Sequence, residues 1–156
     1  MKNVLKILAM ATFVLFTSLH SGCKKDDGPS QQEKDEEIIQ SYISDNSLDA
    51  TATGTGLYVV IDEEGSGNHP TINDEVAVYY RGYLPNQEVF DLTGVDPAVF
   101  PLSQVIQGWQ EGIPYFKPGG SGTLLIPSHL GYGSQRAGSI PPNSVLIFDI
   151  TLVRVN

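Results

Sequence analysis

With one cysteine among 156 residues, the chain cannot form an internal disulfide, so a packed core rather than covalent staples must hold it together. Basic residues are scarce as well: nine Lys and Arg stand against eighteen Asp and Glu, for a net charge of −9. A surface this acidic repels a phosphate backbone, and no nucleic-acid partner is expected. Of three histidines, His20 falls in the leading segment, residues 1–22, that reads as a signal peptide. His69 and His129 have no cysteine or histidine at metal-ligand spacing, so no metal site is expected. There is no phosphate-binding loop, nucleophile elbow or dinucleotide fingerprint, and no serine has a placed histidine base. Gly54-Thr55-Gly56 and Gly131-Tyr132-Gly133 are too short to cradle a phosphate and read as turns. Hydrolytic, redox and phosphoryl-transfer chemistry are unsupported, and no cofactor is expected.

Long hydrophobic runs are missing too. The apolar stretch from Ile7 to Phe16 is too short to span a bilayer as a stable helix, and it follows Lys2 and Lys6. That layout is a secretory signal peptide over residues 1–22. Ser21-Gly22-Cys23 then resembles the lipobox of bacterial lipoproteins, although Leu19 stands one place before the usual leucine position and His20 fills it. A lone exported cysteine in this setting is expected to carry a lipid; the competing reading is an inert structural thiol. Removing residues 1–22 takes Lys2 and Lys6 with it and moves the net charge from −9 to −11. What remains is one domain on a tether. The expectation is an exported lipoprotein of the outer membrane, facing the periplasm or the cell surface. Lys24-Lys25-Asp26-Asp27 resembles the charged tethers of some surface-exported lipoproteins.

Polar residues 23–32, with Gly28-Pro29-Ser30, read as a flexible linker. Residues 33–50 are predicted to form an amphipathic helix and its connection. Ile38, Ile39, Tyr42 and Ile43 recur there at helical spacing behind an acidic first turn that suits the helix dipole. This helix is expected to pack on the domain, with a partner-binding helix as the alternative. From residue 51 to 156 the texture turns to β, in LYVVI (57–61), EVAVYYRGYL (75–84), SGTLLI (121–126) and VLIFDITLVRV (145–155). Val76, Val78 and Tyr80 alternate with Ala77, Tyr79 and Arg81, and Leu146, Phe148, Ile150 and Leu152 with Ile147, Asp149 and Thr151. Such alternation predicts antiparallel strands with one buried face. One short helix, placed after Gly108 and before Pro118, interrupts them. The predicted class is α+β, a twisted antiparallel sheet wrapping that helix.

The helix carries the only tryptophan, Trp109. So short a helix is marginal alone in water, and packing of Val105, Ile106, Trp109 and Ile113 must hold it. Core filling is one explanation for the ring and a binding-pocket floor is another. Tyr80, Phe90, Phe100, Tyr132, Ile140 and Phe148 add apolar bulk at strand ends and in loops, where burial is not automatic. Joined by the single carboxylate of Phe90-Asp91, they suit a concave apolar site with few polar groups. A carboxylate directly after a buried phenylalanine must find partners, and the hydroxyls of Tyr80 and Tyr132 exceed what a structural core requires.

The segments VYYRGYL, EVFD, FPLSQVIQGWQEGI, KPGGSGTLLIPSHLGYG and GSIPPNSVLIFDITLVRV resemble, in that order, those of FKBP-type peptidyl-prolyl isomerases, from about Leu57 to Val155. The resemblance implies a half-barrel of antiparallel strands around the one helix, with Trp109 as the floor on which a substrate proline sits. It implies catalytic roles for Tyr80, Asp91, Ile106, Trp109 and Tyr132 and substrate contacts from Phe90, Phe100, Val105, Ile140 and Phe148. Ile106 would offer its backbone N–H to a substrate carbonyl, Tyr132 a hydroxyl at the rim, and Asp91 would pair with Tyr80. Two departures are expected to bear on substrate choice: Ala98 thins one wall, and the loop from Ser134 to Ser139 is about one residue short and places Arg136 near the rim. The implied clients are proline-containing, unfolded or partly folded envelope proteins, served by a monomer held to the membrane through Cys23. Two other functions stay open, a non-catalytic module that binds a proline-containing segment and a plain chaperone surface.

Overall fold

The computed structural model of the protein describes residues 28–156; the predicted signal peptide, Cys23 and the expected tether Lys24-Lys25-Asp26-Asp27 lie outside the described residues. Helix α1 spans Gln31–Asp45, two residues earlier than predicted, because Ser30 begins a capping box. The Ser30 hydroxyl accepts from the Glu33 N–H at 3.3 Å and the Glu33 carboxylate accepts from the Ser30 N–H at 2.7 Å. Each satisfies a donor that a bare helix start leaves without a partner.

Seven strands follow, β1 (Thr51–Ala52), β2 (Tyr58–Glu63), β3 (Glu75–Tyr83), β4 (Val89–Leu92), β5 (Ala98–Pro101), β6 (Ser121–Ile126) and β7 (Leu146–Val155). They form one sheet in the order β1-β2-β6-β7-β3-β4, with β5 also paired to β3. Every pairing is antiparallel. One side of β3 lies along β7, and its other side is shared: Glu75 to Val78 pair with β5, and Arg81 to Tyr83 with β4. Between these partners the chain leaves the sheet, and the site opens beside that gap. Helix α2, Gln107–Gly112, crosses the concave face.

The main core lies between α2 and this concave face, where Val76, Val78, Trp109, Ile113, Leu124, Ile126, Phe148 and Leu152 are buried together. Alternation along β3 and β7 therefore reads correctly for that side. The opposite face is not left to water throughout. Ile39 of α1, wholly buried, packs with Tyr83, Leu125, Val145 and Ile147 in a second cluster, so Leu146, Ile147 and Phe148 are buried in succession. A helix laid across the back of a sheet buries both faces beneath it. Ile38, which shares the helical spacing, stays 39% exposed.

Helix α2 begins at Gln107 rather than after Gly108, and its two glycines, four residues apart, lie on the face set against β6. A Cβ on Gly108 would run into Ile126, and one on Gly112 would come within 2.7 Å of Leu124. Glycine costs a helix about 1 kcal/mol relative to alanine, yet here it lets the helix axis approach the strand. Gly108→Ala is expected to destabilise the protein despite its better propensity. Forcing a methyl into a packed core costs roughly 1 to 3 kcal/mol, and the Ile126 side chain it would meet is fully buried. Denaturant melts check the sign; a stabilised variant would contradict the close approach.

Candidate active site

Trp109, 4% exposed, stands at the bottom of a hollow of about 330 Å³ between α2 and the sheet. Three rings meet it nearly edge-on: Tyr80 from β3 at 5.2 Å between centroids, Phe148 from β7 at 5.2 Å and Phe100 from β5 at 5.8 Å. Edge-to-face contacts set the positive rim of one ring on the negative face of another, and each pair adds about 0.5 to 1.5 kcal/mol beyond area burial. The Trp109 Nε1 is buried and has no hydrogen-bond partner among the described residues. A donor left this way costs about 1 to 3 kcal/mol, which the packing of the ring on its three aromatic neighbours must offset.

The wall carries a polar pair, Tyr80 and Asp91, that the family resemblance implies. The Tyr80 hydroxyl donates to Asp91 Oδ2 at 2.6 Å, while Asp91 Oδ1 accepts from the Leu92 N–H at 2.9 Å. Burial first, and then this bond to a carboxylate, push the Tyr80 hydroxyl well above the ordinary tyrosine range. It therefore stays protonated, and a donor, at any physiological pH. Val105 and Ile106 lie in the segment entering α2, where Gln110 Nε2 donates to the Val105 carbonyl at 2.7 Å. Ile106 is the residue before the helix; its carbonyl accepts from the Trp109 and Gln110 N–H groups. Among the described residues no acceptor takes its own N–H. Tyr132, 40% exposed, completes the mouth.

Not every anticipated residue borders this hollow. Tyr80, Asp91, Phe100, Val105, Ile106, Trp109, Tyr132 and Phe148 do. Phe90 and Ile140 line instead an adjoining hollow of about 240 Å³, which shares Asp91, Tyr132 and Phe148 with the first. Phe90 meets Phe148 edge-on at 5.4 Å, so the two hollows are joined along one aromatic ridge. The backbone beneath has to be Gly82, since a Cβ there would stand 2.5 Å from Phe90 and 2.7 Å from Phe148. Gln104 borders the main hollow and escaped the sequence reading, because an exposed glutamine between turns has no pattern to mark it. Ala98 sits in β5 opposite Val78 and borders neither hollow, which leaves Phe100 as the β5 wall. Arg136 is exposed and borders neither.

Tyrosine burial fixes how stability responds to alkali. Tyr80 and Tyr83 are raised chiefly by burial, and Tyr58 chiefly by its bond to Glu36. A native pKa above the unfolded value of about 10 means that stability is whole below that pH and falls as pH rises beyond it. Denaturant melts are expected to show no tyrosine-linked slope up to about pH 10 and a falling stability above it. The Tyr83→Phe and Tyr80→Phe variants should each remove part of that slope.

A bent antiparallel sheet closed on one short helix, with an aromatic hollow between them, is the architecture of the FKBP class. Residues 66–153 match the family described as FKBP-type peptidyl-prolyl cis-trans isomerase, and the chain belongs to that family. It is 41% identical over 134 residues to the probable FKBP-type peptidyl-prolyl cis-trans isomerase FkpA of Neisseria meningitidis serogroup B, covering 84% of this chain and 48% of that one. Among solved structures it is similar to FkpA from Escherichia coli, with a TM-score of 0.71 and 34% identity over 81% of this chain and 63% of that chain. A peptidyl-prolyl cis-trans isomerase from Pseudomonas syringae pv. tomato superposes with a TM-score of 0.69 at 29% identity, covering 83% of this chain and 98% of that one. The chain spans about half the length of the curated relatives it matches.

Proposed function

We propose that this protein accelerates rotation about X-Pro peptide bonds, with the Trp109 hollow as the site. The observation that carries the reading is the conjunction at one place of an edge-packed tryptophan floor, the hydrogen-bonded Tyr80 and Asp91 on the wall, and an Ile106 N–H with no acceptor. Rotation about the bond before proline must break amide conjugation against a barrier of about 18 to 20 kcal/mol. A planar amide is strongly dipolar and the twisted one has lost that charge separation. An apolar, water-poor hollow therefore favours the twisted form. Trp109, Tyr80, Phe100 and Phe148 grip the proline ring, and the Ile106 N–H holds a neighbouring carbonyl while the bond turns. Phe90 and Ile140, in the adjoining hollow, receive the chain that flanks the proline, and Tyr132 serves both. Differential binding of about 7 kcal/mol gives an acceleration on the order of 10⁵. No bond to carbon is made or broken, so the chemistry asks for no nucleophile. Turnover of a Leu-Pro or Phe-Pro peptide tests the reading; a folded protein that binds such a peptide without turning it over would be a binding module instead.

The clients, in this proposal, are proline-containing envelope polypeptides still folding, and the chain serves them as a monomer tethered through Cys23. The signal-like residues 1–22 and the lipobox-like Ser21-Gly22-Cys23 support this placement. Radiolabelled fatty acid should enter the intact protein and not Cys23→Ala; a labelled alanine variant would remove the anchor from the account. Among the described residues no helix is long and apolar enough to cross a membrane.

A further inference from the structure

Asp35 is an odd residue to bury. It is 1% exposed, 93 positions from its partner, and it belongs to the helix on the back of the sheet rather than to the site. Its Oδ2 accepts from both the N–H and the hydroxyl of Ser128, at 2.8 and 2.6 Å, and its Oδ1 accepts from Gln31 Nε2 at 2.7 Å. Ser128, itself 2% exposed, opens a short 3-10 turn, Ser128–Leu130. The Ser128 carbonyl in turn accepts from the N–H groups of Gly131 and Gly133, at 3.0 and 2.8 Å. These are the two residues that flank Tyr132. On the far side the Gly133 carbonyl accepts from the Asn143 N–H at 2.7 Å. Ser128 is therefore a hub: one side is held by a buried carboxylate on α1, and the other fixes both ends of the peptide pair that presents Tyr132 to the two hollows.

We propose that Asp35 is a positioning residue for the proline site, acting through Ser128 to hold Tyr132 at the rim, so that this one hydrogen-bonded contact, rather than the apolar docking of α1, sets how tightly a proline-containing chain is gripped. The inference rests on the reading of the hollow given above. A purely structural role predicts a different pattern. Ile39 docks the same helix through apolar packing on Tyr83, Leu125, Val145 and Ile147, while the hydrogen bonds to Ser128 come from Asp35, so damage to Ile39 loosens the helix while leaving the hub's donors paired. Asp35→Ala instead strands two buried donors, and the Ser128 turn must move to satisfy them. Asp35→Asn keeps an acceptor of the same shape, and the Gln31 carboxamide can rotate to accept from the new amide.

The test uses the full chain in detergent, as wild type, Asp35→Ala, Asp35→Asn and Ile39→Ala. KM and kcat are measured on a Leu-Pro peptide, and Kd for the same peptide is read from Trp109 fluorescence. Asp35→Ala is expected to raise KM and Kd by about tenfold, the loss of one charged hydrogen bond, with kcat within about twofold. Asp35→Asn should recover most of that loss, and Ile39→Ala should lower the melting temperature at least as much while leaving KM and Kd in place. An unchanged Kd in folded Asp35→Ala overturns the proposal, as does an equal rise in Ile39→Ala. Absence of turnover in the wild type would count against the isomerase reading alone, because the Kd comparison among the variants still decides the role of Asp35.

Discussion

Trp109→Leu is expected to lose proline-peptide turnover by about tenfold to a hundredfold in kcat/KM, equivalent to roughly 1.4 to 2.7 kcal/mol at the transition state. The ring is the common partner of Tyr80, Phe100 and Phe148, so its removal takes away the floor and loosens three walls together. Leucine fills part of the space, and the stability loss should fall below the roughly 3 to 5 kcal/mol of a tryptophan-to-alanine change in a core. A domain of this kind holds about 5 to 15 kcal/mol in all, so the variant is expected to remain folded and its turnover measurable. Trp109→Phe separates floor from filler: it keeps an aromatic ring, removes the partnerless indole N–H, and should retain more turnover than leucine. Stopped-flow isomerisation and thermal melts on the same samples give both numbers.

Asp91→Ala should show the opposite balance, a large effect on turnover and a small one on stability. Asp91 is exposed, and an exposed polar pair is worth little to folding, about 1 kcal/mol or less. In the site the same carboxylate fixes the Tyr80 hydroxyl at 2.6 Å, and charge-assisted hydrogen bonds are worth about 1.5 to 3 kcal/mol when they orient a group for its task. The expected outcome is a kcat/KM loss of roughly tenfold to a hundredfold with a melting temperature shifted by only a few degrees. Tyr80→Phe should reproduce most of that loss, and adding Asp91→Ala to it should change little further, since the two side chains act as one unit. Additive losses would mean that Asp91 works through something other than Tyr80.

Which parts of this molecule can be read before folding follows from how far apart the interacting residues are. Local periodicity located β3 and β7 to within a residue, because alternating apolar positions answer to a sheet with a core on one side; β6 showed only as a short apolar run after Gly119-Gly120. The brief helix at Trp109 was legible from its apolar residues and flanking breakers, although its start was placed two residues late: a glycine at 108 reads as a boundary until the approach of Ile126 explains it. Strands β4 and β5 have four residues each, too few for a period, and between them the chain bends at Val95 and Asp96 to bring both onto one side of β3. The second core was legible from one side only: Ile39, Tyr42 and Ile43 mark a helix that packs on the domain, whereas Leu125 and Ile147 occupy positions that alternation assigns to solvent until α1 covers them.

The site divides along the same line. Asp91 and Tyr80 stand out as polar groups among apolar neighbours, and the structure joins them. That Phe90 and Ile140 belong to an adjoining hollow, and that Gln104 borders the main one, depends on loop geometry that no local pattern encodes. Asp35 was hidden for a different reason. An acidic residue near the start of a helix reads as a partner for the helix dipole, and only its burial against Ser128, 93 residues away, reveals another role. Ser30 was legible in principle, as the first residue of the Ser-x-x-Glu capping signature, but the polar run around it has the composition of a linker.

The central claim is that the Trp109 hollow turns X-Pro bonds. The most direct measurement is cis-to-trans conversion of a short Leu-Pro or Phe-Pro reporter peptide by residues 28–156, a span that retains the Ser30 cap, with Trp109→Leu measured alongside. The account predicts conversion well above the buffer rate by the wild-type protein and most of that rate lost in the variant. A wild-type rate no better than buffer, from protein shown to be folded by its melting transition, or a variant as active as the wild type, would contradict it.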